Sequence, residues 1–120
     1  MFLQWEKFRD MDYIYLDCRP LKEDEMITIL EEAADEMKKN KEKVVVLANV
    51  TGSVITPEFM ERFKSLTAEV YREYVQRTAI VGVDGMKNVI VKTYNFLMKR
   101  DVHTFSSEEE ALQYLYDNRA

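Results

Sequence analysis

Residues 44–50 read Val-Val-Val-Leu-Ala-Asn-Val, an apolar run without polar alternation. A strand with one wet face alternates, so an unbroken run of this length predicts a strand covered on both faces and placed at the centre of a sheet. Helical patterns on either side supply the cover. Over residues 21–40, Met26, Ile27, Leu30, Ala33, Ala34 and Met37 recur at three- and four-residue steps, as an amphipathic helix requires. Thr56-Pro57-Glu58 then offers a capping hydroxyl, a preset φ and an early acid. The helix that follows stacks Phe59, Phe63, Leu66, Val70 and Tyr74 along one side.

The alternation continues to the end of the chain. Residues 78–83 form a second apolar run, and Asp84-Gly85 leads into a third helix over 86–99, with Ile90, Thr93, Tyr94 and Leu97 expected to face the core. Residues 102–105 read as a short strand. Ser107 and Glu110 have capping-box spacing before Ala111, Leu112, Leu115 and Tyr116. At the N-terminus, residues 2–8 and 13–18 flank a polar turn and suggest a hairpin, in which Ile14, Leu16 and Cys18 share one face and Tyr13, Tyr15 and Asp17 the other. The order ββαβαβαβα predicts an α/β fold: a mixed, mostly parallel sheet with an N-terminal hairpin and about four helices, in a single domain over residues 1–120.

Composition narrows the function classes. Seventeen basic against 22 acidic residues leave a net charge of −5, which argues against nucleic acid as a partner. No apolar run is long enough for an integral membrane span, and charges at Glu6 and Lys7 interrupt any signal-peptide core. Cys18 is the single cysteine, so no intrachain disulfide forms and a cytoplasmic location is expected. His103, the single histidine, has no second ligand at metal spacing, so neither a metal site nor a cofactor is expected. Ser53 lacks a nucleophile elbow. Catalysis would require Asp17, Asp84 or His103 to converge in one cleft, and no catalytic residue is assigned.

Ligands of open α/β sheets gather beyond the carboxyl ends of the strands, where helix N-termini point outward. Two such places are readable. One runs through Asn49, Thr51, Gly52, Ser53 and Thr56, and the other through Asp84 and Gly85. Tyr71, Arg72, Tyr74 and Arg77 interleave aromatic and basic groups at the end of the second helix, but a solvated helix face accounts for that pattern. Phe2, Trp5, Met60, Tyr71 and Tyr116 fall off the main core stripes and are candidates for a partner surface.

The segments VVVLANVTG, TPEFMERFKSLT, RTAIVGVDGMKNVIVKTYNFL and HTFSSEEEALQYL occur in the order and spacing of the SpoIIAA-like STAS family, which the last two-thirds of the chain resembles. That resemblance implies a small regulatory domain related to anti-sigma-factor antagonists. In that branch a kinase phosphorylates a serine in an Asp-Ser-Ser-Gly-like segment at the start of the helix after the central strand. Here the corresponding stretch is Ile55-Thr56-Pro57-Glu58-Phe59, which lacks the Ser-Ser-Gly element and leaves Thr56 as the single candidate phosphoacceptor at that helix start.

The expectation is therefore a non-catalytic domain, a protein-protein interaction module that docks a partner through residues 51–63, with Phe59 and Met60 as contact residues. The alternative is a carrier or sensor for a small apolar ligand or lipid, with a cavity beneath the second and third helices and the Thr51 and Gly85 loops at its mouth. Self-association as a homodimer is compatible with either.

Overall fold

The computed structural model describes residues 3–118. Strands β1 (Leu3–Phe8) and β2 (Met11–Asp17) form the antiparallel hairpin, with Arg9 at positive φ in its turn. Helix α1 (Glu23–Asn40) leads to β3 (Val44–Asn49), and α2 (Pro57–Leu66) runs on through a π-helical stretch, Thr67–Tyr71, into the last turn α3 (Arg72–Tyr74). Then come β4 (Val75–Val81), α4 (Gly85–Met98), β5 (His103–Phe105) and α5 (Glu108–Asp117). The sheet order is β1-β2-β3-β4-β5, parallel from β2 onward. The expected ββαβαβαβα order and mostly parallel sheet are both present.

All six residues of β3 are buried, because it is the middle strand and both of its faces are covered. Val44, Val46 and Ala48 join Ile14 and Leu16 beneath α1 and α2, while Val45 and Leu47 join Tyr13 and Tyr15 beneath Ala111 and Leu115 of α5. The tyrosine face of β2, which reads as mixed in the sequence, is thus the floor of a second core. A smaller third cluster holds Val91, Tyr94 and Val102, with Met60, Phe63 and Ile80 packed on it.

Three local features depart from simple periodicity. The Arg72 N–H reaches back to the Thr67 carbonyl, and this wider turn admits one extra residue. Tyr71 is thereby carried into the core, where its hydroxyl donates to the Leu30 carbonyl at 2.5 Å, so it is not a partner-surface residue. The helix stops at Tyr74 and β4 begins at once, which places Arg77 on a strand and not at a helix end. In α4 the inward residues are Ile90, Val91, Tyr94 and Met98, which agrees with the expectation for Ile90 and Tyr94; Thr93 and Leu97, also expected in the core, face outward. That expectation erred because α4 is apolar around most of its circumference, so periodicity does not choose a face. Of the other off-stripe residues, Met60 and Tyr116 are half-buried, Trp5 is exposed, and Phe2 lies outside the described residues.

Gly82 ties the sheet end together. Its φ is +91°, and a Cβ there would lie 2.6 Å from the Thr51 nitrogen and 2.7 Å from the Thr51 Cα. Gly82→Ala is expected to cost about 2–4 kcal/mol from backbone strain and overpacking. Gly85→Ala, with open space around it but φ +45°, should cost about 1–2 kcal/mol. Urea denaturation of both variants measures the difference, and equal costs would refute this role for the Thr51 contact.

Candidate functional site

The contact between Gly82 and Thr51 brings the two predicted loops together beyond the carboxyl ends of β3 and β4. Asn49, the last residue of β3, is buried and organises the cluster. Its Oδ1 accepts from the Thr51 N–H at 3.1 Å and from the Thr51 hydroxyl at 2.7 Å, while its Nδ2 donates to Glu108 Oε2 at 2.8 Å. The Tyr15 hydroxyl donates to the same carboxylate oxygen. Glu108 opens α5, where the helix N-terminus favours a negative group. The sequence shows it only as one of three first-turn acids, since its partners lie 59 and 93 residues away.

The remaining loop residues have structural roles. Ser53, expected at the surface, is buried; its hydroxyl donates to the Cys18 carbonyl and accepts from the Leu21 N–H at 2.9 Å, which fastens the β2–α1 connection. Gly52 sits in an exposed turn at φ +80°. Thr56 caps α2 by accepting from the Phe59 N–H at 3.1 Å, so its hydroxyl oxygen is engaged in the cap. Asp84 and Gly85 are exposed at the start of α4, and Asp84 makes no side-chain cap. Phe59 is buried at 8% exposure and Met60 is half-buried, because α2 turns both toward the core. They do not form the docking surface expected of them.

The groups considered for catalysis are engaged separately. Asp17 pairs with Arg19 at 2.9 Å, and this partner holds its carboxyl below the usual range. His103 meets Asp101 at 2.9 Å and packs on the Tyr114 ring. Cys18 is buried, and burial, with Asp17 adding to it, pushes the thiol up to about 12. Among the described residues no cluster of three metal-ligating side chains occurs, and no helix is long and apolar enough to cross a membrane.

A cavity of about 90 Å³ lies between the sheet and helices α1, α2 and α4. Leu16, Ile29, Phe63, Val91 and Tyr94 are among its walls. Val50 and Ile55 reach it from the loop, whereas Thr51 and Gly85, expected at its mouth, do not line it. Over this cavity α4 is held mainly by side chains, and its backbone keeps largely clear of its neighbours. Tyr94 stacks on Phe63 with ring centroids 4.4 Å apart, its hydroxyl meets Thr67 Oγ1 at 2.6 Å, and Arg72 donates to the Met98 carbonyl at 2.8 Å.

The outer face of α4 is the most apolar exposed surface among the described residues. Met86, Val89, Phe96 and Leu97 are 77%, 57%, 82% and 57% exposed. With Thr93 they fall at steps of three and four, so they form one stripe. Lys87, Lys92 and Lys99 accompany it, and residues 85–99 contain no acid.

Comparison with known proteins supports the fold. No family model and no curated protein matches the chain. A solved structure of an uncharacterised protein of the DUF3478 family from Shewanella loihica PV-4, described as having a SpoIIAA-like fold, superposes with a TM-score of 0.64. It is 18% identical, and the alignment covers 94% of this chain and 91% of that one.

Two predictions follow from the buried polar groups. Ser53→Ala leaves the Leu21 N–H without its acceptor and should cost about 1–3 kcal/mol in urea denaturation; a loss below 0.5 kcal/mol, on the order of a neutral surface change, would remove the fastening role. Burial also pushes up the phenols of Tyr13, Tyr15, Tyr71 and Tyr94. The unfolded chain releases the thiol and phenol protons from about pH 8.5 and 10, while the folded chain retains them. Stability is therefore complete below those values and falls as pH rises through them. The urea midpoint should drop between about pH 9 and 11, and less steeply in Tyr71→Phe. A midpoint flat across that range would contradict the assignment. Taken with the sheet order and the superposition, the chain has a SpoIIAA-like α/β fold.

Proposed function

We propose that this protein is a non-catalytic, regulatory protein-binding module, and that the outer face of α4 is its docking surface. The observation that carries the reading is the stripe of Met86, Val89, Phe96 and Leu97, large apolar side chains left in water along one helix and bordered by cations. Keeping such a stripe in solvent sacrifices burial energy, and stripes of this kind mark interaction sites. Fourteen residues give a helix roughly 21 Å long, enough to seat one partner helix. The unbalanced lysines select an acidic partner with an apolar face. Two copies meeting through α4 would oppose like charges, and the net charge of −5 opposes an anionic bilayer. Thr56, the possible phosphoacceptor, caps α2, and the Ser-Ser-Gly element of the phosphorylation switch is absent from this helix start.

Phe96→Asp tests the surface. Stability should change by less than about 0.5 kcal/mol, because the ring is exposed. Partner affinity should fall at least about 30-fold, as for a central interface anchor. Photo-crosslinking from position 93 in the native host provides the readout. The expected result is a protein adduct that Phe96→Asp abolishes and high salt weakens. The same adduct from the variant, or adducts to lipid alone, would overturn the reading.

A second reading, a binding site for a small apolar ligand, is favoured by the cavity under α4. Its size argues against a whole lipid. An apolar cavity of about 150 Å³ accommodates benzene. The space here, about 90 Å³, corresponds by proportion to about four carbon atoms.

A further inference from the structure

Among the described residues, Arg100 is the one charged residue on the wall of the cavity. Its Nη2 donates to the Val75 carbonyl at 3.2 Å, and its side chain lies against the Tyr94 hydroxyl, which is itself bonded to Thr67. None of the ion pairs among the described residues involves Arg100. A guanidinium has five N–H donors in a planar fork, and the carbonyl and hydroxyl beside it leave most of them unused. A partly buried cation without a counter-anion, at the wall of a hydrocarbon-lined space, calls for a ligand with one anionic end and one apolar end.

We propose that the cavity is a binding site for a short-chain aliphatic monocarboxylate, with the carboxylate on Arg100 and the chain beneath α4 among Phe63, Val91 and Leu30. The proposal rests on the apolar-ligand reading above and names its ligand class. Chain length is set by the space. About four carbons fit, and longer chains would have to displace α4. The carboxylate suits the fork of Arg100 because two parallel N–H···O bonds can form, which an alcohol cannot accept. No bond is made or broken, so the site is one of capture alone.

The test titrates the purified, isotope-labelled chain with acetate, propanoate, butanoate, pentanoate and hexanoate, and with pentanol as the uncharged match. Saturable shifts are expected at the amides of Leu30, Val91 and Tyr94. Affinity should rise about fourfold per added methylene up to pentanoate and then level off. Pentanol should bind at least tenfold more weakly than pentanoate. Arg100→Gln should bring acid and alcohol to within about threefold of each other, and Arg100→Lys, which keeps the charge, should retain the preference for the acid should the Gln variant fail to fold. Equal binding of pentanol and pentanoate to the wild type would overturn the proposal and leave the apolar-ligand reading standing. Absence of saturable binding by every probe would overturn both. Neither result bears on docking by α4, since no partner protein is present.

Discussion

The two-sided burial of β3 is the constraint on which the rest of the structure depends. A strand with every side chain buried needs a layer on each face, and the remaining elements are distributed to provide them. α1, α2 and α4 cover one face and α5 covers the other. Parallel pairing with β2 and β4 satisfies its backbone, and that pairing brings the loops after β2, β3 and β4 to the same edge. The polar cluster of Tyr15, Asn49, Thr51 and Glu108 exists at that edge because three separate segments end there.

The two sides of the sheet differ in how they are closed. α5 lies directly on the sheet, with Ala111 and Leu115 fully buried against Leu47 and Ala79. On the opposite side α1 and α2 pack together, and α4 spans the remaining gap through Tyr94 and Val91. Long aromatic side chains fill a gap less completely than small ones let backbones close it, and the cavity is the residue of that arrangement. The same helix presents Phe96 and Leu97 to water, so α4 connects an interior space with an exposed apolar face. The docking surface and the ligand site proposed above are two sides of one helix.

Much of this architecture is legible from the amino-acid pattern. The uninterrupted 44–50 run, the Thr56-Pro57 start and the Ser107 cap each have a local cause, and each stands where the pattern places it. What misleads is any feature with two compatible solutions. The second helix reads as one regular stripe, yet a single wide turn at 67–71 brings Tyr71 inward. The third reads with Thr93 and Leu97 inside, yet it settles on Val91 and Met98, because its apolar residues spread over more than half of the circumference and allow more than one rotation. Phe59 and Met60 read as surface candidates for the same reason: their exposure depends on which neighbouring helix lies over them.

The sequence by itself determined the element order, the central strand, the caps and the lack of a cysteine pair within residues 1–120, since these depend on neighbours along the chain and on residue type. Tertiary structure alone decided the rotation of α4, the cavity beneath it, the burial of Ser53 and the joining of Glu108 to Tyr15 and Asn49. Those are relations between residues tens of positions apart, and their energies depend on distances that no local pattern encodes.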